Sequence, residues 1–173
     1  HMPNDRSVTF TDVTKAVGVL VLAGPKARNV LQKLTRTDLS SASFPWLSAK
    51  QIDVNLAPSV AARVNFVGEL GWELHHPIEY QNHIFDALIS AGVEFGLKPF
   101  GIRAMDAMRL EKSYRLVGTE MSIEYAALES GLDRFVQLQK PDFIGRSGLL
   151  AWQEKGFTNS FVTLAVKDTK DRD

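Results

Sequence analysis

The residues best placed to do chemistry lie in residues 63–77, R-V-N-F-V-G-E-L-G-W-E-L-H-H-P. Glu69 and Glu73 stand at a Gly-x-x-Gly pair, Gly68 and Gly71, where glycine inside a strand-like pattern marks a turn, a bulge or close approach to the backbone. Glu73 sits between Trp72 and Leu74, so a carboxylate is carried inside an apolar, β-prone segment. A buried carboxylate needs a partner, because an unpaired one costs several kcal/mol or ionises with difficulty. Two readings follow: a hairpin with solvated acids on its outer face, or a carboxylate that holds a ligand. A second polar group, Arg103, Asp106, Arg109 and Glu111, lies in a helical pattern. Arg109 and Asp106 are three apart, the spacing of an intrahelical ion pair. Arg103 falls at the helix start, where the macrodipole disfavours a cation, which hints at service to an anion or an interface. His75 and His76 are neighbours on a strand and so point to opposite faces, unable to share one metal. His83 lies beside an apolar helix face and reads as a structural histidine.

The elements that position these groups follow from apolar periodicity. Val17–Ala23 is a continuous apolar run, read as a buried strand. Gly24-Pro25 ends it and Pro25 opens a short amphipathic helix over residues 25–34, with Lys26, Arg28 and Lys33 as its solvated face rather than a phosphate site. Residues 37–45 read as a Ser/Thr-rich loop or short helix capped by Thr37 or Asp38, and Phe44-Pro45-Trp46 as an aromatic anchor. Ile52, Val54 and Leu56 alternate with Gln51, Asp53 and Asn55, a strand; Pro58 turns the chain, and residues 60–66 return as its partner. Val64, Phe66, Trp72 and Leu74 continue the period of two on either side of the glycines. Pro77 stops the sheet. Ile84, Phe85, Leu88 and Ile89 give a helix over residues 80–95 an apolar face, and Gly96 caps it. A further helix covers residues 102–112, in which Met105 and Met108 read as core filler. Beyond Tyr114 the expected elements are a small-residue turn at 126–132, short strands at 135–138 and 161–166, and a helix at 147–155 ended by Gly156. The order strand, helix, strand, strand, helix is the split β-α-β pattern of a ferredoxin-like α+β layer, an antiparallel sheet with helices on one face.

Composition removes several classes. The chain has 173 residues, 45% hydrophobic and 23% charged, with a net charge of zero, which fits a globular domain and argues against a broad nucleic-acid or anionic-membrane surface. Absent cysteine removes disulfides, thiolate metal sites and thiol catalysis. No apolar run reaches the length of a membrane span, and no P-loop, dinucleotide fingerprint, H-E-x-x-H or G-x-S-x-G occurs. His1-Met2 has the look of a vector scar, and residues 1–6 are set aside as lead-in.

Three motifs together resemble the folate-binding aminomethyltransferase family, which includes the glycine-cleavage T-protein and the matching domains of sarcosine and dimethylglycine dehydrogenases. Gly68-Glu69-Leu70-Gly71-Trp72-Glu73-Leu74 is similar to its Y-T-G-E-x-G-x-E run. Residues 101–114, G-I-R-A-M-D-A-M-R-L-E-K-S-Y, are similar to its G-x-x-A-x-D-x-L-R-L-E helix. Leu128-Glu129-Ser130-Gly131-Leu132 and Asp142-Phe143-Ile144-Gly145-Arg146 are similar to its L-E-A-G-L and D-F-I-G-R. The wording E-K-S-Y-R and F-I-G-R leans toward the dehydrogenase-linked branch. The resemblance implies that Glu73 grips the pterin ring of tetrahydrofolate, matching its N3–H and 2-amino group as a bidentate acceptor. It places Phe66 where the family has a stacking Tyr, adds Trp72 and Tyr114 to the folate-binding set, and puts Arg103 toward the folate tail in place of the arginine that Met105 replaces.

The family's catalytic Asp belongs to a segment upstream of anything like Ser7, so no residue here takes a catalytic role and no metal is implied. The chain is expected to be a fragment: residues 7–140 a partial folate-binding domain, and residues 141–173 a linker helix and the first strand of a C-terminal barrel. The parent would pass a one-carbon unit from a small amine to tetrahydrofolate, with FAD on a missing domain, in the cytoplasm or mitochondrial matrix. Its partners would be folate, the amine and the missing parent domains, with neither nucleic acid nor membrane. The fragment alone would bind folate weakly and turn over little. The rivals are a folate-binding iron–sulfur-assembly relative, disfavoured by the missing cysteine; a ferredoxin-like RNA-binding module, disfavoured by neutral charge; and a structural interaction domain.

Overall fold

A computed structural model describes residues 5–165. The chain divides into two compact units, His1–Lys112 and Ser113–Asp173.

The first unit contains a four-stranded sheet, β1 (Val17–Ala23), β2 (Ala49–Val54), β3 (Ala57–Ala62) and β4 (Gly71–Pro77), in the order β1-β4-β3-β2 with every neighbouring pair antiparallel. The expected α+β architecture, an antiparallel sheet with helices, is therefore present. Helices α1 (Ala27–Gln32) and α2 (Gln81–Gly92) cover one face, and α3 (Ile102–Glu111) follows. The core forms where Leu22, Ile52, Val54, Trp72 and Leu74 from the strands meet Val30 and Leu31 of α1 and Ile84 and Leu88 of α2. Trp72 and Leu74 are fully buried because β4 lies inside the sheet and their side chains face the helices.

Several sequence expectations change. The run Val17–Ala23 is a strand, but not one buried on both faces: Val17, Val19 and Val21 are exposed while Gly18 and Leu22 are buried. β1 is an edge strand, so apolar content there reflects one covered face and one open face. The β2–β3 turn is at Asn55-Leu56, both with positive φ (47° and 70°), and Pro58 lies within β3 opposite Asp53. Two consecutive left-handed residues are what a tight hairpin requires. Residues 63–70 form an irregular loop rather than a continuation of the strand. The anchor at 44–46 is Phe44 alone; it is fully buried, while Trp46 is 61% exposed. Gly96 closes the helical stretch in the left-handed conformation as expected, at φ 72°.

In the second unit, helix α4 spans Arg146–Lys155. Ser130 and Glu129 are buried in a turn where Glu129 Oε2 accepts the Ala126 N–H at 2.9 Å. Residues 135–138 are not a strand; a short 3-10 turn, Asp133–Phe135, stands there. Residues 161–165 are irregular, and Val166, the last residue of the expected final strand, lies outside the described residues. A strand needs a ladder partner, and the described residues of this unit supply only the isolated bridge Val117–Met121.

Candidate functional site

Alternation along β4 decides where Glu73 points. Trp72, Leu74 and His76 face the helices and are buried, whereas Glu73 and His75 face the other way and are half-buried. The register sets Val21 opposite Glu73 and Val19 opposite His75. Glu73 Oε2 lies 3.3 Å from His75 Nε2, so one carboxylate oxygen is steadied from its own strand. Glu73, but not His75, lines a cleft of about 460 Å³ that runs along the free edge of β1. Its walls are mainly apolar, and Val19, Val21, Phe66, Phe85 and Met105 line it together with Glu73. That size falls in the usual range of roughly 300–1,000 Å³ for small-molecule sites.

The loop at 63–70 presents Phe66 to the same cleft. Asn65 organises it: its Oδ1 accepts the Val67 N–H at 3.0 Å and the Glu69 N–H at 3.3 Å, and its amide donates to the Glu69 carbonyl. The Gly24 N–H donates to the Leu70 carbonyl at 2.8 Å, tying the loop to the end of β1. Gly68 has φ 72°, and a Cβ there would meet Lys112 Cγ at 2.5 Å. Lys112 Nζ in turn lies 3.2 Å from Glu69 Oε1. The two carboxylates are thereby separated: Glu69 forms an outer ion pair and Glu73 lines the cleft. A Cβ on Gly71 would sit 2.5 Å from the Leu22 carbonyl oxygen, so the β1–β4 pairing admits only glycine at that point.

The other expected site residues are dispersed. Trp72 is fully buried on the opposite face from Glu73, edge-on to Phe44 at 6.1 Å. Arg103 is exposed in the first turn of α3 and is not among the residues lining the cleft. Tyr114 belongs to the second unit. Arg109 Nε pairs with Asp106 Oδ1 at 2.7 Å, the intrahelical pair expected from spacing. His76 is buried, its Nδ1 2.9 Å from the Leu74 carbonyl and its Nε2 2.8 Å from Gln81 Oε1. His83 Nε2 donates to the Asn55 carbonyl at 2.7 Å and braces the hairpin turn. Among the described residues no group of three His, Asp or Glu side chains could hold a metal ion. Sequence reasoning weighed His75 only as a metal ligand and gave Asn65 and the valines of β1 no part in a site. The one available signal was parity: on a strand, residues 73 and 75 share a face.

Comparisons with known proteins place the chain in a family. Residues 1–140 match the family described as GCVT N-terminal domain. Human mitochondrial dimethylglycine dehydrogenase is 46% identical over 164 residues, which is 93% of this chain and 19% of that protein. The aminomethyltransferase of Thermoanaerobacter pseudethanolicus is 34% identical over 161 residues, 93% of this chain and 44% of that protein. A chain of the heterotetrameric sarcosine oxidase from Corynebacterium sp. U-96 overlaps 53% of this chain at 27% identity, with a TM-score of 0.46. The chain belongs to the GCVT N-terminal domain family. It spans about a fifth of the dimethylglycine dehydrogenase and under half of the aminomethyltransferase.

Proposed function

We propose that this chain supplies the pterin-holding wall of a folate-dependent one-carbon transfer site in a parent aminomethyltransferase or demethylating dehydrogenase. The observation that carries this reading is Glu73: a half-buried, acceptor-only carboxylate beside an apolar cleft that Phe66 also lines. A flat heteroaromatic ring with adjacent N–H donors suits such a place. The apolar walls favour the ring faces, and the carboxylate takes a paired N–H edge in charge-assisted hydrogen bonds. Phe66 provides stacking area without a hydroxyl. Membership of a family whose relatives are named dimethylglycine dehydrogenase and aminomethyltransferase supports the same reading.

Within the parent, the reaction would pass a one-carbon unit from a small amine to tetrahydrofolate. The residues of this chain would hold and orient the acceptor, and positioning is the larger part of such chemistry. Arg103, exposed in the first turn of α3, would serve the folate tail, and FAD would belong to another part of a dehydrogenase parent. The cytoplasm or mitochondrial matrix suits this role. The 173-residue chain alone would hold folate weakly and turn over little.

Calorimetry with tetrahydrofolate, on this chain and on a longer chain of the parent, tests the reading. Binding should be tighter in the longer chain, and Glu73→Gln should weaken it roughly 10- to 150-fold, the equivalent of about 1.5–3 kcal/mol for hydrogen bonds to a charged group. Unchanged affinity in the Glu73→Gln longer chain would remove Glu73 from the site. No heat with either wild-type chain would favour a purely structural domain.

A further inference from the structure

A second polar cluster lies around Trp72, on the helix-covered face of β4. Arg28 of α1 and Arg63, just after β3, each place the guanidinium carbon 6.0 Å from the Trp72 ring centroid. Both reach one hydroxyl: Arg28 Nη2 donates to Ser41 Oγ at 3.1 Å and Arg63 Nη2 to the same atom at 3.3 Å. Arg63 Nη1 also donates to the Phe44 carbonyl at 2.5 Å. Arg28 is half-buried here, not part of a solvated helix face as its sequence position suggests.

The two guanidinium groups and the indole have only N–H to give, and the acceptors they reach are the Ser41 hydroxyl and the Phe44 carbonyl. Arg28 Nε, Arg63 Nε and Trp72 Nε1 are enclosed and have no hydrogen-bond partner. Among the described residues no carboxylate is ion-paired with either arginine. Asp38, the acid nearest Ser41 in the chain, is committed to Ser40 and Ser43. Like charges brought together in a partly dehydrated place repel, and burial followed by the charge of Arg28 lowers the Arg63 pKa from its ordinary value. Buried donors are almost always satisfied in folded proteins, so the cluster lacks an acceptor that carries negative charge.

We propose that Arg28 and Arg63, joined through Ser41 against the Trp72 indole, form a carboxylate-binding site separate from the Glu73 cleft. A carboxylate suits the two planar forks, each of which can take an oxygen edge-on. Its source is either an Asp or Glu side chain from elsewhere in the parent or a small free carboxylate. The site does not depend on the folate reading.

The test follows the Arg Nε–H and Trp indole N–H resonances in ¹⁵N-labelled 173-residue chain, titrated with acetate against chloride at constant ionic strength. A free-carboxylate site should give a saturating shift at Arg28, Arg63 and Trp72, with Trp46 and Trp152 still, and Arg28→Gln should raise the apparent Kd at least tenfold. For a side-chain source, a longer chain of the parent should hold the same resonances at the acetate-shifted positions and ignore added acetate. Arg28→Lys, which keeps the charge without the fork, should recover only part of the affinity. Should Arg63→Gln fail to fold, Arg28→Gln decides alone, since Arg28 lacks the tie to Phe44. Absence of a saturating shift in this chain, with resonances unmoved in the longer one, would overturn the site and leave simple stacking. An equal response in Arg28→Gln would overturn it as well.

Discussion

Glu73 keeps its side chain half out of water, opposite Val21 and in a cleft that Phe66 also lines, so substitution there should touch binding rather than stability. Glu73→Gln should shift the melting temperature by less than about 3 °C, since a half-exposed strand residue that keeps its shape is worth under about 1 kcal/mol. Trp72→Ala should act in the opposite sense. It empties a fully buried indole site at a cost of about 3–5 kcal/mol, read as a loss of roughly 10 °C in thermal melts. Asp38 gives a pH prediction. Its carboxyl lies below the ordinary 3.8, first through the Ser43 hydroxyl and then the Ser40 N–H. A depressed folded pKa contributes stability that is present above the unfolded value and lost as pH falls through the folded one. The turn at 38–43 should therefore loosen only below about pH 4, seen as faster amide exchange of Ser40 and Ser43, and Asp38→Asn should remove that dependence. At this scale the sequence was informative about Glu73, because its apolar neighbours imply partial burial. It was silent about Arg28, whose environment is made by residues 41, 63 and 72 arriving from three other segments.

The hairpin and the β4 strand carry the predictions at the scale of elements. Leu56 is 90% exposed and sits at φ 70°, a conformation that costs a branched side chain about 1–2 kcal/mol. Leu56→Gly loses no packing and should raise the melting temperature by roughly 2–4 °C for each kcal/mol recovered. Gly71→Val should do the reverse, because a Cβ there meets the Leu22 carbonyl oxygen at 2.5 Å. A destabilisation of about 1–3 kcal/mol, the range for overpacking, should accompany faster exchange of the β1 amides. Strand β1 and helix α2 were readable from apolar periodicity, and Gly96 from its position after the last periodic residue. Two features were not. Period two continues through residues 63–66, yet Asn65 captures backbone groups that a strand would have used. Nothing local marks β1 as an edge, since that depends on the order β1-β4-β3-β2.

For the molecule as a whole, the continuous core of buried residues lies, among the described residues, within residues 22–91, inside the first of two units. A chain ending at Lys112 should keep a single cooperative unfolding transition by circular dichroism; a non-cooperative melt would show that the core needs residues beyond 112. The amino-acid sequence by itself determined the α+β class, the places of β1, α2, α3 and α4, and the family, because periodicity and motif wording are local and survive without coordinates. Tertiary structure decided which residues share a space. It made Glu73 and Phe66 line one cleft, and it set Trp72, on the opposite face of β4 from Glu73, with Arg28 and Arg63. The physical reason is that strand parity assigns a face, but only the assembled sheet and its loops determine what covers that face.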